Sequence, residues 1–135
     1  MERKIKTFED LEVWRVCRNL RIKLGKVAKR LPGEEKFLLA NQIIRAARSI
    51  TSNLAEGYGR YHYQENIQYC RQSRGSIYEC IDHLTVCLDD RYIEGEEFKG
   101  LRDECLRAIQ LVNGYIRFLE KQRDLPNSDN ENRKT

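Results

Sequence analysis

Apolar residues recur every three or four positions in four stretches of the chain, which is the spacing of a helix with one buried face. Thr7 and Asp10 form a capping pattern at the start of the first stretch, and Pro32 follows its end. Glycine or polar turns separate the remaining stretches. The predicted helices cover approximately residues 8–31, 34–57, 62–89 and 96–123.

Short connections between long helices make sequence neighbours antiparallel. The pattern therefore predicts an all-α, up-down-up-down four-helix bundle over residues 1–123. Residues 124–135 contain Pro126 and mostly polar side chains, so we expect a disordered tail there.

Several helices carry apolar residues outside the inward stripe, which a lone bundle cannot bury completely. A second apolar stripe is typical of a subunit interface, so the chain is expected to form a homo-oligomer. The candidate interface residues are Phe8, Leu11, Ile22, Phe37 and Ile44, with Leu106, Ile109 and Ile116 as further off-stripe positions on the last helix.

The chain has 135 residues and a formal net charge of +4, and its positive charge is concentrated in the first helix. Residues 1–31 hold ten Lys and Arg against four acids. Such a face attracts phosphate groups or acidic partners, although a charged outer face can also be merely solvated. The candidate nucleic-acid-binding residues are Arg15, Arg18, Lys23, Lys26, Lys29 and Arg30.

Five cysteines without a Cys-x-x-Cys pair argue against a disulfide framework and against a zinc ribbon. Cys80, His83 and Cys87 could present metal ligands on one helix face, but an apolar face would use the same cysteine positions. We predict reduced core thiols, with no metal and no cofactor. The sequence shows neither a bilayer-spanning apolar run nor a signal-peptide core, so a cytoplasmic protein is expected.

No nucleophile with a neighbouring base is recognisable, so we predict no catalytic residues and no enzyme activity. Gly57 and Gly59 lack the strand and lysine of a phosphate-binding loop and are interpreted as a helix stop in left-handed conformation. A structural role is predicted for a cluster of polar residues, with Arg45 available to pair with Glu56 or Glu79. The cluster consists of Arg45, Asn53, Glu56, Ser76 and Glu79.

Three sequence blocks together resemble one known family. They are Phe8-Glu9-Asp10-Leu11-Glu12-Val13-Trp14, the segment from Gln42 to Gly57 with Gly59-Arg60, and Ser73-Arg74-Gly75-Ser76-Ile77-Tyr78-Glu79. They resemble the hallmarks of four-helix-bundle proteins encoded in intervening sequences of bacterial 23S rRNA genes. Thr51 stands where that family commonly has proline, and Ser73 where it commonly has alanine.

The resemblance implies a homopentameric ring and kinship with accessory proteins of diversity-generating retroelements, which work beside a reverse transcriptase and bind nucleic acid. The leading hypothesis is a non-enzymatic, homo-oligomeric scaffold that binds RNA or DNA through its basic first helix. The competing hypothesis is a protein-interaction module or adaptor for a partner such as a reverse transcriptase, in which the basic residues only maintain solubility.

Overall fold

Four α-helices make up most of residues 4–126, the part of the chain that this computed structural model describes. They are α1 (Glu12–Arg30), α2 (Leu39–Tyr58), α3 (Tyr63–Asp89) and α4 (Gly95–Arg123). No strand occurs in this range, and none of its helices is long and apolar enough to cross a membrane. The predicted four-helix bundle is confirmed, whereas the pentamer stays a prediction. Residues 127–135 of the predicted tail lie outside the described part.

Short 3₁₀ turns precede α1 and α2, so both helices begin later than predicted. Thr7 and Asp10 do form a reciprocal capping box, but it closes the turn Phe8–Asp10, and extended Leu11 separates that turn from α1. A second 3₁₀ turn, Gly33–Glu35, precedes α2. It places Glu35 Oε2 2.7 Å from the Tyr92 hydroxyl, which donates to it and joins the two loops at this end of the bundle.

Gly57 is helical, and the prediction that it takes a left-handed conformation is wrong. A Cβ at Gly57 would lie 2.6 Å from Asn66 Oδ1 and 2.8 Å from Tyr69 Cβ, so this glycine allows α2 and α3 to approach closely. Arg91 takes the left-handed conformation instead, with φ of 64°. Its amide and that of Tyr92 bond back to Leu88 and Cys87, which closes α3 in a Schellman motif.

Contacts between helices show that neighbours run antiparallel. Along α2 and α3, Ile50 meets Ser73 and Gly57 meets Asn66, so positions rise on one helix as they fall on the other. Each helix packs closely against two neighbours, and within residues 4–126 the backbones of the diagonal pairs lie farther apart. The buried stripe of each helix therefore faces a single core.

The core takes more of α4 than its sequence pattern predicts. Ile109 and Ile116, expected outside the inward stripe, are 5% and 6% exposed and belong to the core. The physical reason is that α4 packs against both α1 and α3, so its buried face is wider than one stripe. These two residues are therefore unavailable as surface contacts of the monomer.

All five cysteines are buried and free. Burial raises the pKa of the Cys17, Cys70 and Cys105 thiols from 9.0 to about 12 in each case. Cys80 and Cys87 are fully buried, while His83 lies 3.1 Å from Glu79 Oε2. Among the described residues no group of three or more His, Cys, Asp or Glu side chains is arranged to hold a metal ion.

Candidate nucleic-acid interface

The outer surface of α1 contains no acidic residue between Val13 and Leu31. Lys and Arg supply all the formal charges of this stretch, and they lie outside the buried stripe. The six predicted phosphate-binding residues do not all face the same way, however. Their surroundings divide them into two groups.

Three of the six side chains have an acidic partner. Lys23 Nζ lies 2.7 Å from Glu104 Oε1 on α4, and Arg30 Nη2 lies 2.6 Å from Glu97 Oε2 on the same helix. Arg15 lies 3.7 Å from Asp10 and also donates from Nε to the Glu9 carbonyl. Because these carboxylates offset the positive charge locally, the α4 side of α1 attracts phosphate less strongly than its sequence suggests.

Arg18, Lys26 and Lys29 are exposed, and in the described part of the chain they form no ion pair. The guanidinium of Arg18 lies 5.9 Å from the centre of the Trp14 ring, within cation–π distance. These three residues therefore present positive charge that no ion pair engages, although Lys26 also lines a depression that contains Glu97 and Glu104 on the α4 side.

Two further arginines, Arg21 on α1 and Arg48 on α2, extend this positive surface from α1 to α2. Both line two adjoining depressions between α1 and α2, of about 570 Å³ and about 280 Å³. Arg21 Nη1 donates to Thr51 Oγ1 at 2.9 Å, which fixes its head group between the helices. Sequence reasoning missed both residues. A usable signal was present for Arg48, because residues 36–55 also contain no acid.

We call the surface that lines these two depressions the α1–α2 groove, and it contains no acidic side chain. Its members are Phe8, Trp14, Arg21, Ile22, Gly25, Lys26, Lys29, Ile44, Ala47, Arg48, Thr51, Ser52 and Ala55.

Three predicted subunit-interface residues lie in this same groove. Ile22, which is 41% exposed, and Ile44 line the smaller depression beside Lys26 and Lys29. Phe8 lies at the other end, with its ring 5.1 Å from that of Trp14. Part of the predicted apolar interface and part of the predicted basic face, namely Lys26 and Lys29, thus share one surface.

The other two predicted interface residues lie elsewhere. Leu11 is half-buried and packs against the core, at the turn before α1. Phe37, beside exposed Leu38 in the connection between α1 and α2, is 81% exposed. This pair is the most exposed apolar feature of the connection.

The predicted polar cluster follows the outer edge of the contact between α2 and α3. Asn53 Nδ2 donates to the Ser49 carbonyl and hydroxyl, both at 2.8 Å, and Ser76 Oγ donates to Ser49 Oγ at 2.9 Å. Ser73, fully buried, donates to the Ile50 carbonyl at 2.7 Å. These contacts join the two helices through small side chains.

The pairing predicted for Arg45 is wrong. Glu56 lies 2.8 Å from Arg60, one helical turn later, and Glu79 interacts with His83. Arg45 is exposed and forms no ion pair within residues 4–126, because Arg60, just after α2, and His83, on α3, engage the two carboxylates.

The sequence matches the family described as 23S rRNA-intervening sequence protein over residues 9–114. This match includes α1, α2, α3 and most of α4. The chain belongs to the 23S rRNA-intervening sequence protein family. No curated protein matches the sequence.

A solved structure similar to this chain supports the fold. It is a protein of unknown function from the S23 ribosomal protein family of Bacteroides thetaiotaomicron, solved by crystallography at 1.70 Å. The similarity has a TM-score of 0.72 at 20% identity and covers 78% of this chain and 95% of that chain. At this identity the comparison establishes the bundle alone.

Thr51 and Ser73, the two residues at which the sequence differs from the expected family pattern, both form hydrogen bonds between helices. Thr51 accepts a hydrogen bond from Arg21 and so connects α2 to α1. The Ser73 hydroxyl connects α3 to α2 through the Ile50 carbonyl. Each hydroxyl therefore connects α2 to one of its two neighbouring helices.

Proposed function

We propose that this protein is a non-enzymatic, homo-oligomeric scaffold that binds RNA or DNA through the basic outer face of α1. The supporting observation is the acid-free surface on which Arg18, Lys26 and Lys29 keep their charge. Phosphate groups are the acidic partner that such a surface attracts without base-specific contacts.

Oligomerisation strengthens this interaction. Each additional copy presents the same basic surface, so one nucleic-acid strand contacts several subunits at once and the effective concentration of the later contacts is high. A modest number of phosphate contacts per subunit is then sufficient for stable binding. We expect the affinity to depend strongly on salt and weakly on sequence.

The unpaired and paired basic residues of α1 should contribute unequally to binding. We expect Arg18→Gln/Lys26→Gln/Lys29→Gln to flatten the plot of log association constant against log salt by about 2, since a single strand gives about 0.7 per phosphate neutralised. The matched variant Lys23→Gln/Arg30→Gln should flatten it less, because Glu104 and Glu97 already offset those charges. Fluorescence anisotropy with a labelled oligonucleotide across a salt series measures both slopes.

Helix content and particle mass, measured by circular dichroism and light scattering, control for misfolding in both variants. Wild-type protein that does not bind at low salt would refute the proposed function. Such a result would favour the protein-interaction module, with the exposed apolar residues as its contact surface. Equal slopes for the wild type and the triple variant would remove α1 as the binding surface.

Phe37 and Leu38 are the proposed self-association contact outside the groove. They are 81% and 62% exposed, so replacing both by Glu should leave the fold intact and cost little stability. We expect Phe37→Glu/Leu38→Glu to reduce the particle mass to that of a monomer by light scattering, because two carboxylates per subunit would be buried without partners. A wild-type monomer would contradict the oligomeric part of the proposal.

A further inference from the structure

We propose that the α1–α2 groove binds single-stranded nucleic acid, with phosphates on Lys29 and Arg48 and unpaired bases on Ile22 and Ile44. This inference rests on the proposed function and names the ligand class and the surface. It adds α2 to the binding site, although no basic residue of α2 was predicted to bind. It also gives the apolar residues of the groove a role.

The charge of the groove favours an anionic ligand. Arg21, Lys26, Lys29 and Arg48 line it from both helices, and no carboxylate does. Glu97 and Glu104, which offset Lys23 and Arg30, lie on the α4 side of α1. A polyanion lying between α1 and α2 therefore meets positive charge on both walls. A cleft lined by positive charge on two sides attracts an anionic ligand more strongly than the exposed face of one helix.

The apolar floor distinguishes a single strand from a duplex. Ile22 and Ile44 lie between the basic side chains, and Trp14 lines the adjoining depression. A duplex keeps its bases stacked inside, so it would contact only the charges. General single-strand binders combine a basic groove with aromatic side chains on which bases stack. In this groove Trp14 supplies an aromatic ring, and Ile22 and Ile44 add apolar surface that unpaired bases can cover.

The size of the groove fits an extended chain. The two depressions share Arg21 and Arg48 and therefore adjoin. From Trp14 to Lys29 the surface follows fifteen residues of α1, or roughly 22 Å at 1.5 Å per residue. A strand lying along this length reaches both the aromatic end and the basic end.

A second copy of the chain is a poorer occupant. A two-fold contact through the groove would place the same basic residues of both copies opposite each other, without a carboxylate in the groove to separate them. A head-to-tail contact, as in the expected ring, would instead require the next copy to supply all the carboxylates that face these cations. Like charges brought together at an interface are unfavourable. The subunit contact is therefore assigned to Phe37 and Leu38 rather than to Ile22 and Ile44.

The charge of α2 is tested by Arg48→Gln, with Arg45→Gln as the matched control. Both arginines are exposed on α2 three residues apart, but only Arg48 lines the groove. With a labelled oligouridylate we expect Arg48→Gln to weaken binding about fivefold or more, as for one lost charge-assisted contact. Arg45→Gln should bind like the wild type.

The apolar floor is tested by Ile22→Gln, with Phe118→Gln as a control at an exposed apolar position outside the groove. Ile22→Gln should weaken oligouridylate binding about threefold or more, because an apolar contact with bases is lost. Its affinity for a duplex of equal length should not change. Trp14 is the single tryptophan of the chain, so quenching of its fluorescence by oligouridylate reports on occupation of the groove.

The outcomes separate this inference from the proposed function. In one outcome, Arg18→Gln/Lys26→Gln/Lys29→Gln weakens salt-dependent binding while Arg48→Gln and Ile22→Gln bind like the wild type. This result would overturn the proposal that the groove is the binding site and would retain the basic face of α1 as that site. Equal effects of Ile22→Gln on duplex and single strand would overturn the choice of a single strand. A fall in particle mass for Ile22→Gln, with unchanged affinity, would make the groove a subunit contact. Absence of binding by the wild type would overturn both proposals.

Discussion

Replacing Gly57 by alanine should destabilise the bundle by about 3 kcal/mol. The added Cβ would lie 2.6 Å from Asn66 Oδ1, 2.8 Å from Tyr69 Cβ and 3.1 Å from the Asn66 carbonyl oxygen. Asn66 is fully buried and its Nδ2 is within 3.3 Å of the Tyr115 hydroxyl, so it cannot move without disturbing α4. The two helices would have to separate at their closest approach. Urea unfolding followed by circular dichroism measures the loss.

Gly75→Ala is the matched control for this substitution. Gly75 lies inside α3 and a Cβ there meets nothing within 4 Å, so alanine should stabilise the helix by up to about 1 kcal/mol. Opposite signs at the two positions would show that close packing, rather than helix propensity, decides the result at Gly57. A Gly57→Ala protein as stable as the wild type would contradict the close approach of α2 and α3.

The periodicity of apolar residues was sufficient to predict the four helices and their order. Val13, Cys17, Leu20 and Leu24 are all buried as their spacing indicates. Periodicity did not predict helix starts, because a residue such as Leu11 can be apolar and still adopt an extended backbone. The role of Gly57 was also missed, since its close contacts come from residues on another helix.

The basic character of α1 was readable from the sequence, but its division into two sides was not. The positive charges of Lys23 and Arg30 are offset by Glu104 and Glu97, which are 81 and 67 positions away along the chain. Only the register between α1 and α4 brings these residues together. For the same reason Arg48, on a neighbouring helix, could not be assigned to a surface shared with Lys29.

The two proposed roles of the α1–α2 groove are linked by its mixed surface. Exposed Ile22 beside Lys26 and Lys29 is expected both for a subunit contact and for a site that covers unpaired bases. Because no carboxylate lines the groove, we propose the second of these roles, in which a polyanion would neutralise both walls. The proposed assembly through Phe37 and Leu38 would leave that surface free in every subunit.

Alkaline pH should unfold the protein between about pH 10 and 12, because the buried thiols must stay protonated in the fold. Burial raises the pKa of Cys17, Cys70 and Cys105 from 9.0 to about 12. Below pH 9 the thiols are protonated in both the folded and the unfolded chain, so their contribution is constant. Above pH 9 the unfolded chain releases protons that the folded chain retains, and stability falls until the folded thiols ionise.

The expected steepness follows from proton linkage. Each of the three thiols contributes a slope of about 1.4 kcal/mol per pH unit between its two pKa values, so together they lower the free energy of unfolding by about 4 kcal/mol per unit. From pH 9 to 12 these three thiols alone remove about 12 kcal/mol, and Cys80 and Cys87, whose pKa burial also raises, add to the loss. A domain of ordinary stability, about 5 to 15 kcal/mol, therefore loses its fold. Urea unfolding at a series of pH values, with a reductant present, measures the slope.

Cys105→Ala isolates one thiol. Its free energy of unfolding at neutral pH should fall by on the order of 1 kcal/mol, because a small buried volume is deleted. Above pH 9 its slope should be shallower than that of the wild type by about 1.4 kcal/mol per unit, since one proton fewer is released on unfolding. The difference in slope reports Cys105 together with the smaller effect that Cys105 has in raising the pKa of Cys17 and Cys80. Parallel curves would show that this thiol is not held protonated by burial.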